Sequence, residues 1–485
     1  MYNNLNKKSG RFAVFFGLYI TKMCSGKKKR DEYKMRLFTL PQGSRFTNRE
    51  MIAFLIPMIF EQIMLGVLGI ADTYMVSGLG ETAIAGVALV NRIDNFAKQF
   101  FLAMGQGGSV VLAQYIGADK KDNAKSALKN NILILTGVGI LLMLIMVLFK
   151  NNVITLLFGG AEQDVLDVSS SYFSITALSY PFVALYYVTS ATYRVMGRSK
   201  ITFYASVSMM GINLILKYIF IYILDFGVGG AALSTFIAMA VVGLALYFEL
   251  RSKRNSVVVD DLHKPGFRKK MAWRILKVSV PNGIEQAMFQ LGALLLAGLV
   301  SGLGTAAVVA DQIARNITPF VHAAGSGFVA LMMMVIGQCM GAKEVDDAKM
   351  YIKHILKLDY AMTIVCGIVT FIVLKPVLMA FDVSQEARDW AYWIVALYIA
   401  GSCVVYPTSF AVPSALRGAG DTKFVMMVST LSMFLFRIGA AYVCVYLFDA
   451  GVMSIWIAMV SDWVVRSVIF MIRLKRGKWI EHKVI

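Results

Sequence analysis

Four polar residues lie where a membrane-spanning chain would be expected to carry only apolar ones. Asp72 and Glu61 sit in the apolar run that begins near Met51, while Asn213 and Lys217 sit in the run that begins near Ile201. An acid inside a span costs about 2.5–3.5 kcal/mol on insertion scales, so it faces a partner, the protein interior or a water-filled cavity. A carboxylate so placed can exchange a proton near neutral pH once desolvation raises its affinity for it, which makes Asp72 a usable switch for ion coupling. Asn213 and Lys217 are one helical turn apart on one face. A charged lysine cannot ligate sodium, and its ammonium can occupy the place of a bound cation. We therefore expect Lys217 to pair with Asp72 or Glu61. Other acid–base pairs, Asp94 with Lys98, Asp311 with Arg315 and Asp462 with Arg466, are four residues apart and can neutralise themselves along a helix. Arg437 stands alone in its span, so a partner from another helix is expected.

The elements that carry these residues follow from composition. The chain of 485 residues is 58% hydrophobic with a mean hydropathy of +0.65, above the roughly half-apolar balance of soluble domains. Apolar runs of about twenty residues recur from Met51 to Leu474, each long enough to cross the hydrocarbon as a helix, and the two-residue alternation of an outer-membrane barrel is absent. The expected fold is all-α and polytopic, with about twelve transmembrane helices. Of the 48 lysines and arginines, 38 fall in the termini and alternate loops, against three (Lys150, Lys375 and Arg388) in the loops between. That asymmetry places both termini in the cytoplasm of a multi-pass protein of the plasma (inner) membrane. It also explains the net charge of +19 as topology and attraction to anionic membrane lipid, with no nucleic-acid partner.

The five cysteines and four histidines are scattered. They form no metal motif or disulfide framework. No Gly-x-x-x-x-Gly-Lys-[Ser/Thr] loop is present, so neither a cofactor, a metal nor ATP chemistry is expected. Residues 1–49 read as a basic cytoplasmic extension in which Phe12–Ile20 is apolar but too short to span, and Met35 is an alternative start.

The chain also contains itself twice. Residues 57–125 align with 281–349 at a constant offset of 224: Pro57 and Glu61-Gln62 with Pro281 and Glu285-Gln286, Ser77-Gly78-Leu79-Gly80 with Ser301-Gly302-Leu303-Gly304, and Gln114-x-x-Gly117 with Gln338-x-x-Gly341. Two six-helix lobes follow, 50–250 and 275–474, joined by a basic linker 251–274 and ending in a tail 475–485. An even number of spans per lobe makes the repeat parallel, with the cleft between lobes as the candidate site. The polar stretches 119–131 and 343–353 suit short surface helices. Pro57 and Pro281, and Pro181 and Pro407 in paired Tyr-Pro steps, are candidate hinges, because a proline in a span frees a carbonyl.

Together the repeated Pro57/Glu61-Gln62 motif, Ala71-Asp72-Thr73-Tyr74-Met75-Val76, Gln114-Tyr115-Ile116-Gly117-Ala118, Gly227-Val228-Gly229-Gly230 and Arg417-Gly418-Ala419-Gly420-Asp421-Thr422-Lys423 resemble the multidrug and toxic compound extrusion family. The resemblance implies two lobes around a central cavity and export, in exchange for protons or sodium, of small amphipathic, often cationic organic compounds. It implies a role for Asp72 in cation coupling. One branch of the family carries Asn-x-x-x-Asp where this chain has Asn213-x-x-x-Lys217, so any coupling is expected to use protons rather than sodium. A monomer is expected, and no enzymatic activity. Glu285, Gln286, Asp311 and Tyr186 are the candidate cavity residues; Asp72 aligns with Leu296, and Asp311 with Val87, so both acids belong to one lobe only. The rival reading is a flippase for a lipid-linked precursor, which needs fixed positive charge at the cavity; Lys217, Arg315 and Arg437 are the residues that could supply it.

Overall fold

In the computed structural model the described residues are 44–259, 266–381, 383–448, 450–482 and 484–485, and the side chains of 65–70, 72–74 and 77 lie outside them. Residues 1–43 of the basic extension and the side chain of Asp72 are therefore beyond the described residues. Residues 50–485 form one compact unit.

The first lobe runs through α1 (Asn48–Ser77), α2 (Glu81–Gly117), α3 (Lys121–Leu148), the short α4 (Lys150–Phe158), α5 (Gln163–Ala177), α6 (Tyr180–Val195), α7 (Ser199–Tyr218) and α8 (Gly227–Glu249). The second runs through α9 (Lys269–Ser301), α10 (Thr305–Val321), α11 (Gly325–Ala342), α12 (Val345–Met379), α13 (Gln385–Ala419), α14 (Thr422–Ser432), α15 (Ala440–Phe448) and α16 (Met453–Lys475). Joining α5 to α6, α10 to α11 and α14 to α15, and setting aside the nine-residue α4, gives twelve spans. Among the described residues nine helices are by themselves long and apolar enough to cross a membrane. Neither α5 nor α6 reaches the length a span needs, because their shared span is interrupted at Leu178–Ser179.

The repeat persists in backbone detail. Gly80 and Gly304, which end the first turn of each lobe, have φ of 95° and 94°, a region closed to residues with a Cβ. The interruptions, by contrast, differ between lobes. The second span is continuous in the first lobe (α2) but broken after Pro319 in the other, and the fourth span is broken before Pro181 but continuous as α13. Pro57 and Pro281 lie inside α1 and α9, and Pro407 inside α13. Pro181 instead occupies the first turn of α6, where its missing N–H has no partner to lose, so it starts a helix and does not kink one. The polar stretches 119–131 and 343–353 are not separate surface helices: they form the first turns of α3 and α12, whose apolar pattern continues without a breaker.

Among the described residues one buried apolar cluster is centred on Phe101, Leu128, Tyr180 and Val188 and includes Ile275, Val278 and Met333 of the second lobe. Another is centred on Ile313, Ile394, Tyr398 and Trp463, and further buried residues such as Met58, Phe328, Leu331 and Val335 lie in neither. Most charge lies at the end carrying the α2–α3, α6–α7, α11–α12 and α13–α14 turns, called here the basic face.

Candidate functional site between and within the lobes

At the basic face the two lobes meet through the repeated Gln-x-x-Gly motif. Gln114 Nε2 donates to the Gly418 carbonyl at 3.0 Å, and Gln338 Nε2 donates to the Val195 carbonyl at 2.9 Å, so each lobe binds the end of a helix in the other. Gly117 and Gly341 allow the approach. A Cβ on Gly117 would fall on the Gln338 carbonyl, and one on Gly341 on the Gln114 carbonyl. The seam is therefore two-fold in its contacts as well as in its sequence.

Just inside it lie the repeated glutamates. Glu61, 3% exposed, accepts at Oε1 from Arg194 Nη2 (3.0 Å) and from Ser206 Oγ (2.7 Å), and Tyr186 shares a 2.8 Å hydrogen bond with that same Ser206. Glu285, 5% exposed, accepts at Oε1 from Arg417 Nη2 at 2.6 Å. Arg194 and Arg417 are themselves repeat partners. Each lobe thus ties its kinked first helix to the end of its fourth span by a buried ion pair. The expected pairing of Glu61 with Lys217 does not form, because Arg194 and Ser206 supply the donors to Glu61. Lys217 itself is buried, at 1% exposure.

Two of the cavities among the described residues, one in each lobe, differ in the charge of their linings. The first-lobe cavity, about 310 Å³, is lined by Asn91, Asp94, Asn95 and Lys98 of α2, Tyr172 of α5, Met209, Met210 and Asn213 of α7, and Thr235 of α8. Asn213 donates to Thr235 Oγ1 at 2.9 Å. Asp94 does not close on Lys98 as its spacing suggested; its hydrogen bond comes from Tyr180 at 2.9 Å. Asp94 aligns with Thr318 in the repeat. The comparison that singled out Asp72, an acid without a repeat counterpart, finds Asp94 equally well.

The second-lobe cavity, about 410 Å³, is lined by Glu285, Gln286, Phe289 and Gln290 of α9, Phe410, Pro413 and Arg417 of α13, Met433 and Arg437 beyond α14, Arg466 of α16, and Gln106 reaching in from α2. Glu285 and Gln286 come together here as expected. Asp311 lies elsewhere in that lobe, held by Arg315 at 2.6 Å and by Trp456 Nε1 at 3.1 Å, and Tyr186 belongs to the Glu61 cluster. Sequence reasoning missed Arg417 and Arg466 as cavity residues, since each reads as a self-contained motif or an i,i+4 pair.

Two repeated helical lobes that meet at a two-fold seam, with a polar cavity in each, define a membrane transporter architecture. The chain belongs to the MatE family, whose model matches residues 57–219 and 281–443, one match per lobe. It is 23% identical over 447 residues to the probable multidrug resistance protein NorM of Thermotoga maritima, covering 90% of this chain and 94% of that one. It is 24% identical over 389 residues to the multidrug export protein MepA of Staphylococcus aureus, covering 79% and 84%. The fold is similar to that of a solved structure, the outward-facing conformation of a multidrug resistance MATE family transporter of the MOP superfamily, with a TM-score of 0.80 at 21% identity over 89% of this chain and 96% of that one.

Proposed function

We propose that the protein is a secondary-active exporter of small amphipathic organic compounds, working by alternating access and driven by inward proton flow. The observation that carries this reading is the seam. Gln114, Gly418, Gln338 and Val195 join the two lobes at the basic face, and parting of the lobes there would open a path from that face. The names of the relatives, one a multidrug resistance protein and one a multidrug export protein, support the same reading. We place the basic face in the cytoplasm on the distribution of lysine and arginine.

Coupling is assigned to the first lobe, through Asp72 on α1 and the cavity that holds Asp94 and Asn213. Protons are favoured over sodium because ammonium groups, Lys98 at the cavity and Lys217 one turn beyond Asn213, oppose a second fixed cation there. The organic compound is assigned to the second-lobe cavity, whose volume suits a small molecule. A cationic group, the expectation from the family resemblance, would find there only Glu285, whose Oε1 already accepts from Arg417. The runner-up, a flippase for a lipid-linked precursor, draws support from the arginines on that cavity.

Purified protein in vesicles under separately imposed proton and sodium gradients tests the reading with a cationic, a neutral and an anionic amphipathic dye. Flux under the proton gradient is expected. Flux with sodium alone and no dependence on pH overturns the coupling assignment, and no dye movement under either gradient overturns the exporter.

A further inference from the structure

The second-lobe cavity has more fixed positive charge than its own acids neutralise. Arg417 is paired with Glu285 at 2.6 Å, and Arg466 faces Asp462 at 3.2 Å. Asp462 is shared, since its Oδ1 also accepts from Ser432 at 2.6 Å. Nε and Nη2 of Arg466 are buried without a well-formed hydrogen bond. Arg437 has no carboxylate within 4 Å among the described residues, and its Nε is likewise buried without a partner. Its charged neighbours are Asp462, of opposite sign, and Arg466 and Arg315, of like sign, with Arg315 already closed on Asp311. One guanidinium is thus left over in a buried, cavity-facing cluster.

A charge in that setting is strongly unfavourable unless something supplies its counter-charge. The local backbone points the same way. Arg437 and Met433 lie in a π-helical stretch, Met433–Gly439, that re-aims this part of the span, an irregularity often found at functional sites. The repeat gives the contrast: Arg437 falls opposite Asn213 or Leu214, by the offset of 224 or by the 223 that pairs Arg194 with Arg417, and Arg466 opposite the uncharged positions 240–243, so neither arginine belongs to the shared frame. Beside the charge is an apolar wall. The Arg466 guanidinium lies over the rings of Phe289 and Phe410, 5.4 and 5.1 Å from their centres, and both rings face the cavity.

We propose that this cavity binds an amphipathic organic acid. Its carboxylate, sulfonate or phosphate is held by Arg437 and the spare N–H groups of Arg466, and its apolar part lies against Phe289, Phe410 and Met433. A planar guanidinium is the side chain best matched to such groups, because it can donate two parallel hydrogen bonds to one oxyanion. The same chemistry describes a free acid and the headgroup of an acidic lipid. What the site is used for rests on the exporter reading; whether it binds does not.

The test separates the two. Equilibrium binding of pyrenebutyrate and of the matched pyrenebutyl-trimethylammonium is measured on the purified full-length chain, with Arg437→Gln and Arg437→Lys alongside. The wild type is expected to bind the acid at least about tenfold more tightly than the cation, Arg437→Gln to lose about that factor for the acid alone, and Arg437→Lys to keep part of it. Equal or tighter binding of the cation by the wild type overturns the proposal without reference to any variant, and so does acid affinity unchanged in Arg437→Gln. In vesicles, Arg437-dependent uptake of pyrenebutyrate assigns a free acid, and Arg437-dependent translocation of a fluorescent phosphatidylglycerol assigns a headgroup; each supports the site. A chain that binds the acid yet moves neither acid, lipid nor dye keeps the site and overturns the exporter reading.

Discussion

Gln114 and Gln338 are repeat-related residues that each donate a side-chain amide to a backbone carbonyl of the opposite lobe, at 3.0 and 2.9 Å. A motif that reads in sequence as a conservative duplication is in the fold a reciprocal clasp. Neither glutamine bonds within its own lobe through these atoms, so the pair reports on how the lobes are held together.

The clasp predicts a shift in conformational balance. A net hydrogen bond contributes about 1 kcal/mol, so Gln114→Ala with Gln338→Ala moves the closed-to-open equilibrium of the basic face by about 2 kcal/mol, roughly thirtyfold. Spin labels at positions 120 and 343 should show a longer distance gaining population in the double variant. Gly341→Leu should do the same more strongly, because its side chain has no room beside the Gln114 carbonyl. An unchanged distance distribution in both variants removes the clasp from gating.

The glutamate pairs predict a stability signature. Arg194→Met leaves Glu61 buried with Ser206 as its remaining donor and should cost about 3 kcal/mol, toward the low end for a buried pair because Arg194 is partly exposed. Glu61→Gln combined with Arg194→Met should recover most of that loss, since it removes both charges. Arg417→Met and its combination with Glu285→Gln should behave in parallel. Thermal melts of the four variants check this, and a double variant as unstable as the single one contradicts it.

The repeat made the frame legible from sequence, because register holds only where both lobes need the same backbone: Pro57 and Pro281, Glu61 and Glu285, and Gly80 and Gly304 all sit equivalently. What stayed hidden depends on which side chain reaches which across helices. Arg194 closes on Glu61 from 133 residues away, a distance at which one sequence carries no spacing signal, so Lys217 looked like an equal partner. Asp94 offered the opposite difficulty. Its i,i+4 lysine was visible and its true donor, Tyr180, was not. The helix breaks were only half legible: Pro181 and Pro407 match in sequence, yet one starts a helix and the other lies within a continuous one.

Asp94 and Asp72 predict separable effects on coupling. Asp72→Asn should stop proton-driven dye efflux while leaving equilibrium binding of the transported compound in place. Asp94→Asn keeps a carbonyl for the Tyr180 hydroxyl but removes the charge from the first-lobe cavity, so it should weaken the response to the proton gradient and leave the fold intact. Efflux and binding assays on both variants decide the assignment; unchanged efflux in Asp72→Asn removes that residue from the mechanism.

Lys217 gives the last prediction. Its side chain is 1% exposed on α7, one turn beyond Asn213, and burial of an ammonium is expensive unless the charge serves a purpose. If that charge stands where a mobile cation would otherwise sit, Lys217→Met should open the place to sodium. Efflux that depended on the proton gradient in the wild type should then also respond to a sodium gradient. Lys217→Arg separates charge from shape: it keeps the positive charge and should remain blind to sodium, even if its bulk slows transport. A sodium response already present in the wild type, or absent from Lys217→Met while proton-driven efflux persists there, shows that the lysine is structural and that exclusion of sodium comes from elsewhere in the lobe.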